Sequence, residues 1–334
     1  MSRKLPKTDN LEEKVFSISN EEAFQSIALE VYDFQYNNNP VYQRYCQILG
    51  RTPETIHQTD QIPFLPISFF KTHRVVTTSF NPQLVFQSSG TTSTTASVHY
   101  IKDIHLYEKS FLACFEVFYG AVENYCILAL LPSYLERGNS SLVYMVKRLV
   151  EKSNHPDSGF YLYDHEKLYK AIQVLEGSGQ QTILIGVTFA LLDFAAQYQL
   201  SLKNTIVMET GGMKGRRKEL TRGELQKDLK SAFGVNEIHS EYGMTELLSQ
   251  AYSINGIFRT PSWMRIILRE ETDPLNLINS PGASGLINVV DLANLYSCSF
   301  VATDDVGKST TNGNFEVLGR MDNSDIRGCS LMVM

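Results

Sequence analysis

Apolar positions recur at helical spacing through Phe24, Ile27, Ala28, Val31 and Phe34, and again through Val41, Tyr45, Ile48 and Leu49. That pattern predicts helix across residues 11–50. Asn37-Asn38-Asn39-Pro40 interrupts it, and Pro40 suits the first turn of a second helix, where a missing N–H costs no hydrogen bond. Pro63 and Pro66 stiffen an apolar segment at 61–70. Val85-Phe86-Gln87 reads as the end of a short strand. Cys126 to Leu131, Thr182 to Val187 and Asn204 to Met208 read as buried strands. Residues 104–119, 140–151, 189–197 and 219–233 carry helical patterns, and Glu237 to Ser240 extends briefly into Glu241-Tyr242-Gly243. Short apolar strands alternating with helices predict an α/β protein with a largely parallel sheet. After residue 254 the pattern changes. Ile254–Phe258, Met264–Leu268, Gly285–Val290 and Phe315–Leu318 are short strands between turn residues, so a smaller β-rich part, barrel-like or an extra sheet, is expected at about 254–318.

Composition narrows the class. The chain has 334 residues, 43% of them hydrophobic, enough for a sizeable core in one large domain or two. A net charge of -6 disfavours a nucleic-acid partner. The one basic run, Lys214-Gly215-Arg216-Arg217-Lys218, reads as a solvated helix start. No apolar run follows the basic N-terminus, so no secretion signal is expected. None approaches the roughly 20 residues that span a bilayer. The five cysteines are scattered with no CxxC pair, which argues against a disulfide framework and a structural zinc site. A cytoplasmic protein with reduced thiols is the economical expectation. His99, His105, His155, His165 and His239 form no i, i+4 pair, and no serine lies in a GxSxG elbow.

Five segments carry chemistry. Gln87-Ser88-Ser89-Gly90-Thr91-Thr92-Ser93-Thr94-Thr95 follows a strand and offers hydroxyls and a flexible glycine for phosphate oxygens. It lacks the Gly-Lys-Ser/Thr of a Walker loop, and such loops also satisfy their own backbone. In Ser240-Glu241-Tyr242-Gly243-Met244-Thr245-Glu246, Tyr242 can stack on a planar ring, Gly243 allows close backbone approach, Thr245 can donate to a phosphate and Glu246 can hold Mg2+. Glu209-Thr210-Gly211-Gly212 would let a flat base slide against the backbone. Asp304 and Asp305, in Thr303-Asp304-Asp305-Val306-Gly307, could accept from ribose hydroxyls, and an Asp/Gly turn is the ordinary alternative. Arg320, in Gly319-Arg320-Met321-Asp322, can grip phosphate or ribose from a turn.

Taken in order, these segments resemble the adenylate-forming superfamily of acyl-CoA synthetases, luciferase-like enzymes and nonribosomal adenylation domains. The likeness runs from about residue 85 to 328, with Tyr242-Gly243-Met244-Thr245-Glu246 its most specific piece. It implies an N-terminal adenylate-forming fold of mixed sheets flanked by helices. Ser88, Ser89, Gly90, Thr91, Thr92 and Ser93 would hold the ATP phosphates, and Gly211, Gly212 and Tyr242 would frame the adenine. Glu246 would bind magnesium, Asp304 or Asp305 the ribose, and Arg320 the ribose or α-phosphate. Two departures matter. The loop lacks the superfamily's closing proline and lysine, and the chain ends at Met334, short of the usual C-terminal domain with its catalytic lysine.

Both departures resemble the acyl-protein synthetases of the bacterial luminescence type, long-chain-fatty-acid–protein ligases. Leu131 to Leu142, Thr210 to Arg216 and a cysteine near the terminus, Cys329, look like that branch. The resemblance implies an adenylate-forming domain at 1–318 and a hinge-like turn with a cysteine-bearing tail at 319–334. It also implies ATP-dependent activation of a fatty acid, transfer to Cys329 as a thioester, and delivery to an acyl-CoA-reductase-like partner protein. Glu246 and Arg320 would serve the chemistry beside Cys329. Two alternatives stay open: a coenzyme A ligase of the phenylacetate type, and a non-catalytic binding subunit with a degenerate adenylation fold. Cys46, Cys114 and Cys126 lie on apolar segments and are expected in the core.

Overall fold

The structure is a computed structural model that describes residues 8–88, 95–131, 138–211 and 221–321. It opens with three helices, α1 (Thr8–Phe16), α2 (Glu21–Asn38) and α3 (Pro40–Ile48). Asn20 Oδ1 accepts from the Ala23 amide at 2.8 Å, and Asn39 Oδ1 from the Tyr42 amide at 3.0 Å. Each asparagine satisfies one of the amides a helix start leaves unpaired. The break at Asn39-Pro40 lies where the sequence put it. A second break, at Ser17 to Asn20, was hidden because the apolar period survives it. The proline segment forms a two-residue strand, β1 (Leu65–Pro66), and a short helix, α4 (Phe69–Thr72).

An antiparallel hairpin follows, β2 (Leu84–Gln87) against β3 (Val98–Ile101). Then come α5 (Ile104–Tyr119), β4 (Cys126–Leu130), α6 (Ser141–Ser153), β5 (Gly159–Phe160), α7 (His165–Ser178), β6 (Thr182–Gly186), α8 (Thr188–Ala195), β7 (Thr205–Glu209), α9 (Arg222–Phe233) and β8 (His239–Tyr242). The last third contains β9 (Ala251–Ile254), β10 (Ile257–Arg259), β11 (Met264–Arg269), β12 (Leu277–Ile278), β13 (Ser284–Asp291), β14 (Phe300–Ser309) and β15 (Phe315–Arg320).

Apart from the β2–β3 hairpin, these strands form one sheet, ordered β12-β11-β13-β14-β15-β10-β9-β8-β7-β6-β4-β5, with β1 parallel to β14 off that path. β4 pairs in parallel with β5 and β6, β6 with β7, and β7 with β8. Every pairing from β8 outward to β12 along the path is antiparallel. The parallel half matches the expectation from crossover helices. The β-rich segment is hydrogen-bonded into the same path through β10 and β15, not set apart as a second sheet.

Three local readings need correction. Ile254–Phe258 is not one strand but a hairpin between β9 and β10, turning at Asn255 (φ 52) and Gly256 (φ 89). Asn-Gly with both residues at positive φ is the preferred two-residue turn. Thr303-Asp304-Asp305-Val306-Gly307 is not a turn but the middle of β14, with a register shift at Val306/Gly307. Likewise, Gly319 and Arg320 end a strand, β15, and do not form a turn. No described helix is long and apolar enough to cross a membrane.

Candidate active site

The site assembles where the sheet changes from parallel to antiparallel. β8 carries Tyr242 at its C-terminal end, and the chain then turns through Gly243 to Gln250 before returning as β9. The Tyr242 ring packs edge-on against Phe258 and Phe315, with ring centroids 5.9 Å away in each case, and those two rings stack on each other at 5.3 Å. Its hydroxyl donates to Asp305 Oδ2 on β14 at 2.8 Å. Burial and the Asp305 carboxylate push the Tyr242 phenol well above its usual range, so it stays a donor. Arg320 lies directly opposite Asp305 across β14 and β15. Its guanidinium is 3.7 Å from Asp304 Oδ2 and 3.9 Å from Asp305 Oδ1. Arg320 is exposed, so this is a loose pair and its head is available to a ligand.

Glu246 is buried among these groups. Burial raises its carboxyl above the usual range, while a hydrogen bond with Ser97 and the charge of Arg320 pull it back. Ser97 belongs to the neck of the β2–β3 hairpin. There the Ser88 amide donates to the Ser97 carbonyl at 3.0 Å, and the Ser97 amide donates to Ser88 Oγ at 2.9 Å. Ser88 therefore closes the base of the hydroxyl-rich loop with its own side chain, the backbone-satisfying role such residues favour. The neck places the loop's root beside Glu246. Ser89, Gly90, Thr91, Thr92 and Ser93 lie outside the described residues, as do Gly212, Lys214 to Lys218 and Cys329.

Thr245 is half-buried, and its carbonyl faces His99 Nδ1 at 2.7 Å. His99 Nε2 is 3.2 Å from Asn294 Oδ1, and Asn294 Nδ2 donates to the Glu246 carbonyl at 2.8 Å. Burial pushes His99 down to about 4, so it is neutral at pH 7. Below this turn Asp291 accepts from the Leu248 amide at 2.7 Å, the Ser249 amide at 2.9 Å and Ser249 Oγ at 2.6 Å. The Thr245–Glu246 turn is thus held from beneath by buried polar groups that sequence reasoning did not assign. His99 had been weighed only as a metal ligand, and Asp291 and Asn294 lie in no motif.

Gly211 forms a second shelf at the ends of β6 and β7. It has φ 72, a conformation that favours glycine. Glu209 accepts from the Gly211 amide at 2.8 Å and from Thr188 Oγ1 at 3.0 Å, while the Thr188 amide donates to the Gly211 carbonyl at 2.9 Å. These bonds fix an exposed glycine beside the β8 turn. His239 lies at the opposite end of β8 from Tyr242, with its Nδ1 3.1 Å from the Tyr119 hydroxyl.

Among the described residues no cluster of three or more His, Cys, Asp or Glu side chains could hold a metal. Magnesium needs none, since it binds through one or two carboxylates plus substrate phosphates and keeps waters. One carboxylate, Glu246, beside the root of the hydroxyl-rich loop fits that donor set. Cys46, Cys114, Cys126 and Cys298 are all buried free thiols. Burial pushes Cys46 up to about 12 and Cys126 to about 11, and raises Cys114 and Cys298 as well.

The family description of the acyl-protein synthetases (LuxE) matches residues 10–334. A long-chain-fatty-acid–luciferin-component ligase from Aliivibrio fischeri is 23% identical over 332 residues, covering 90% of this chain and 85% of that one. Among solved structures, ATP-bound MatB from Rhodopseudomonas palustris aligns with a TM-score of 0.52 and 15% identity, over 71% of this chain and 47% of its own. An ATP-bound RpMatB–BxBclM chimera aligns with the same TM-score and 16% identity. The chain spans about half the length of those structures, and at such identity the likeness shows the fold alone. The site at the end of β8 therefore sits in an adenylate-forming fold, and the chain belongs to the acyl-protein synthetase (LuxE) family.

Proposed function

We propose that the chain uses Mg-ATP to activate a long-chain fatty acid as its acyl adenylate and then carries the acyl group on Cys329 as a thioester. The observation behind this reading is the meeting of Tyr242, Asp305, Arg320 and Glu246, from three strands and one turn, at the neck of the β2–β3 hairpin. The adenine lies between Tyr242 and the Gly211 shelf, the ribose hydroxyls donate to Asp305, and Arg320 reaches the ribose or α-phosphate. The loop from Ser88 to Ser93 holds the phosphates, with Gly243 and Thr245 at its side. Glu246 would hold magnesium, which offsets charge on the departing pyrophosphate.

In the first half-reaction a substrate carboxylate oxygen attacks the α-phosphorus in line, and the bond to pyrophosphate breaks. In the second, the Cys329 thiolate attacks the acyl carbon, a C–S bond forms, and AMP leaves with the C–O electron pair. The four other cysteines are buried with raised thiols, which makes them unfit as nucleophiles and favours Cys329. The thioester then passes to an acyl-reductase-like partner. Free thiols in such number fit a reducing compartment, the cytoplasm.

Intact-protein mass spectrometry tests the proposal, with wild type and Cys329→Ser incubated with Mg-ATP and a mixture of fatty acids. A hydroxylamine-labile adduct on wild type alone is expected. AMP without an adduct on either protein would move the acyl acceptor to coenzyme A. No AMP with any acid would overturn adenylation and favour a binding subunit.

A further inference from the structure

Gly243 does not adopt the left-handed backbone that favours glycine. Space decides the residue there. A Cβ on Gly243 would collide with Glu241 Oε1 and stand 3.3 Å from Gln250 Cγ. The volume a side chain would take at the head of the Thr245–Glu246 turn is thus filled by the end of the Glu241 side chain. Tyr242 spends its hydroxyl on Asp305, and Glu246 has Ser97 as a partner. Among the described residues, no hydrogen bond reaches the Glu241 carboxyl. The side chain is half-buried, so the carboxyl is neither sealed in the core nor spread into solvent.

Its neighbours decide what that carboxyl can do. Glu241 lies opposite Tyr252 across β8 and β9, so the two side chains share a face of the sheet. Close enough to sense its charge are Tyr107, Cys114 and Tyr119 on α5, Tyr252 on β9 and Glu209 on β7. Burial pushes all three phenols and the thiol up, so these four stay neutral at working pH. Glu209 repels a charge on Glu241, and burial opposes that charge more strongly still. Together they push Glu241 up to about 8, so it carries its proton at pH 7. A protonated carboxyl has an O–H to donate, whereas a carboxylate has none and would repel an arriving anion.

We propose that Glu241 orients the substrate, its carboxyl O–H donating to the oxygen of the substrate carboxylate that does not attack the α-phosphorus. The inference rests on the adenylation reading and adds a residue to that site. In-line attack uses one oxygen of the acid, and the other needs a donor to hold the group in place. A hydrogen bond to a charged acceptor is the strong kind. Once the P–O bond has formed, the same oxygen is the carbonyl of the acyl adenylate. Negative charge gathers on it again when the thiolate attacks the acyl carbon, and the same donor meets that charge. The proton stays on Glu241 throughout, so no bond is made or broken at this residue.

The experiment measures AMP formation with straight-chain fatty acids from about pH 6 to 9, well below the unfolding temperature, for wild type, Glu241→Gln and Glu241→Leu. Glutamine keeps a donor that does not titrate, and leucine keeps the bulk without a donor. At pH 7, Glu241→Leu is expected to raise KM for the acid about tenfold or more with KM for ATP little changed, while Glu241→Gln stays within about threefold of wild type. Above pH 8 the wild type loses its proton, so the ratio of Glu241→Gln to wild type in kcat/KM for the acid should climb about tenfold by pH 9. A space-filling role would be met by leucine and would give no such trend. Should Glu241→Leu not fold, that ratio carries the test alone. A leucine variant equal to wild type, or a ratio that ignores pH, would overturn this inference and leave adenylation standing. So would an inactive Glu241→Gln beside a wild type that speeds up through pH 8, which would make Glu241 a proton acceptor. A wild type that forms no AMP with any acid would overturn both readings.

Discussion

At the residue scale, Glu241 stands well away from the ordinary chemistry of a glutamate. Burial, reinforced by Glu209, pushes its carboxyl up to about 8. A glutamate in the unfolded chain loses its proton near ~4.3, so the folded state holds a proton the unfolded state has lost across that interval. Its contribution to stability is therefore fully present below the unfolded value and is lost as pH rises toward 8. Glu241→Gln is expected to unfold at a higher temperature than wild type at pH 8.5, by up to a few kcal/mol in stability, with the gap closing near pH 4. Thermal unfolding across that pH series checks it, and a gap independent of pH would count against the assignment. The residues that touch a nucleotide in this reading were legible in sequence because Tyr242, Glu246, Asp305 and Arg320 stand in compact motifs. Glu241 was in plain view in the same motif, but a carboxyl's burial is a tertiary property and left no trace in spacing. Ser97, His99, Asp291 and Asn294 were illegible for the same reason, since each acts through a partner dozens of residues or more away.

At the scale of elements, α5, β4, β6, β7 and α9 fall close to where periodicity placed them, because each is long enough or apolar enough to carry its own signal. β14, the longest strand described, was missed since Thr303-Asp304-Asp305-Val306-Gly307 has the composition of a turn. Its carboxylates face Arg320 and Tyr242 within the sheet, so residues whose partners lie on other strands disguised it. The turn between β8 and β9 shows how an irregular element is fixed. Two amides and a hydroxyl converge on Asp291, which is fully buried. Asp291→Ala would leave those donors without an acceptor in the interior. We expect a loss of at least ~2 kcal/mol by chemical denaturation. Fatty-acid-dependent pyrophosphate release is expected to fall along with it, since Glu246 loses its support. Retained stability would show that water replaces the carboxylate.

At the scale of the whole molecule, one sheet joins a parallel half built by crossover helices to an antiparallel half built by hairpins, and the site lies on the join. β8 belongs to both halves, pairing in parallel with β7 and antiparallel with β9. The class of the fold was readable from the alternation of strands and helices. The union of its halves was not, because β10 pairs with β15 across more than fifty residues of intervening chain. That pairing has a further consequence. β15 ends at Arg320, and the Met321 amide is fastened to the Asp304 carbonyl at 2.9 Å, so the chain leaves the sheet at the edge of the candidate site. Cys329 is eight residues farther along. A tether of that length reaches at most ~28 Å even when fully extended. The proposed acyl acceptor is thus leashed to the site where the acyl adenylate is proposed to form, at a millimolar-scale effective concentration set by the leash. Self-acylation should accordingly proceed at the same rate per molecule when the protein is diluted a hundredfold, whereas acylation by a second copy would slow in proportion.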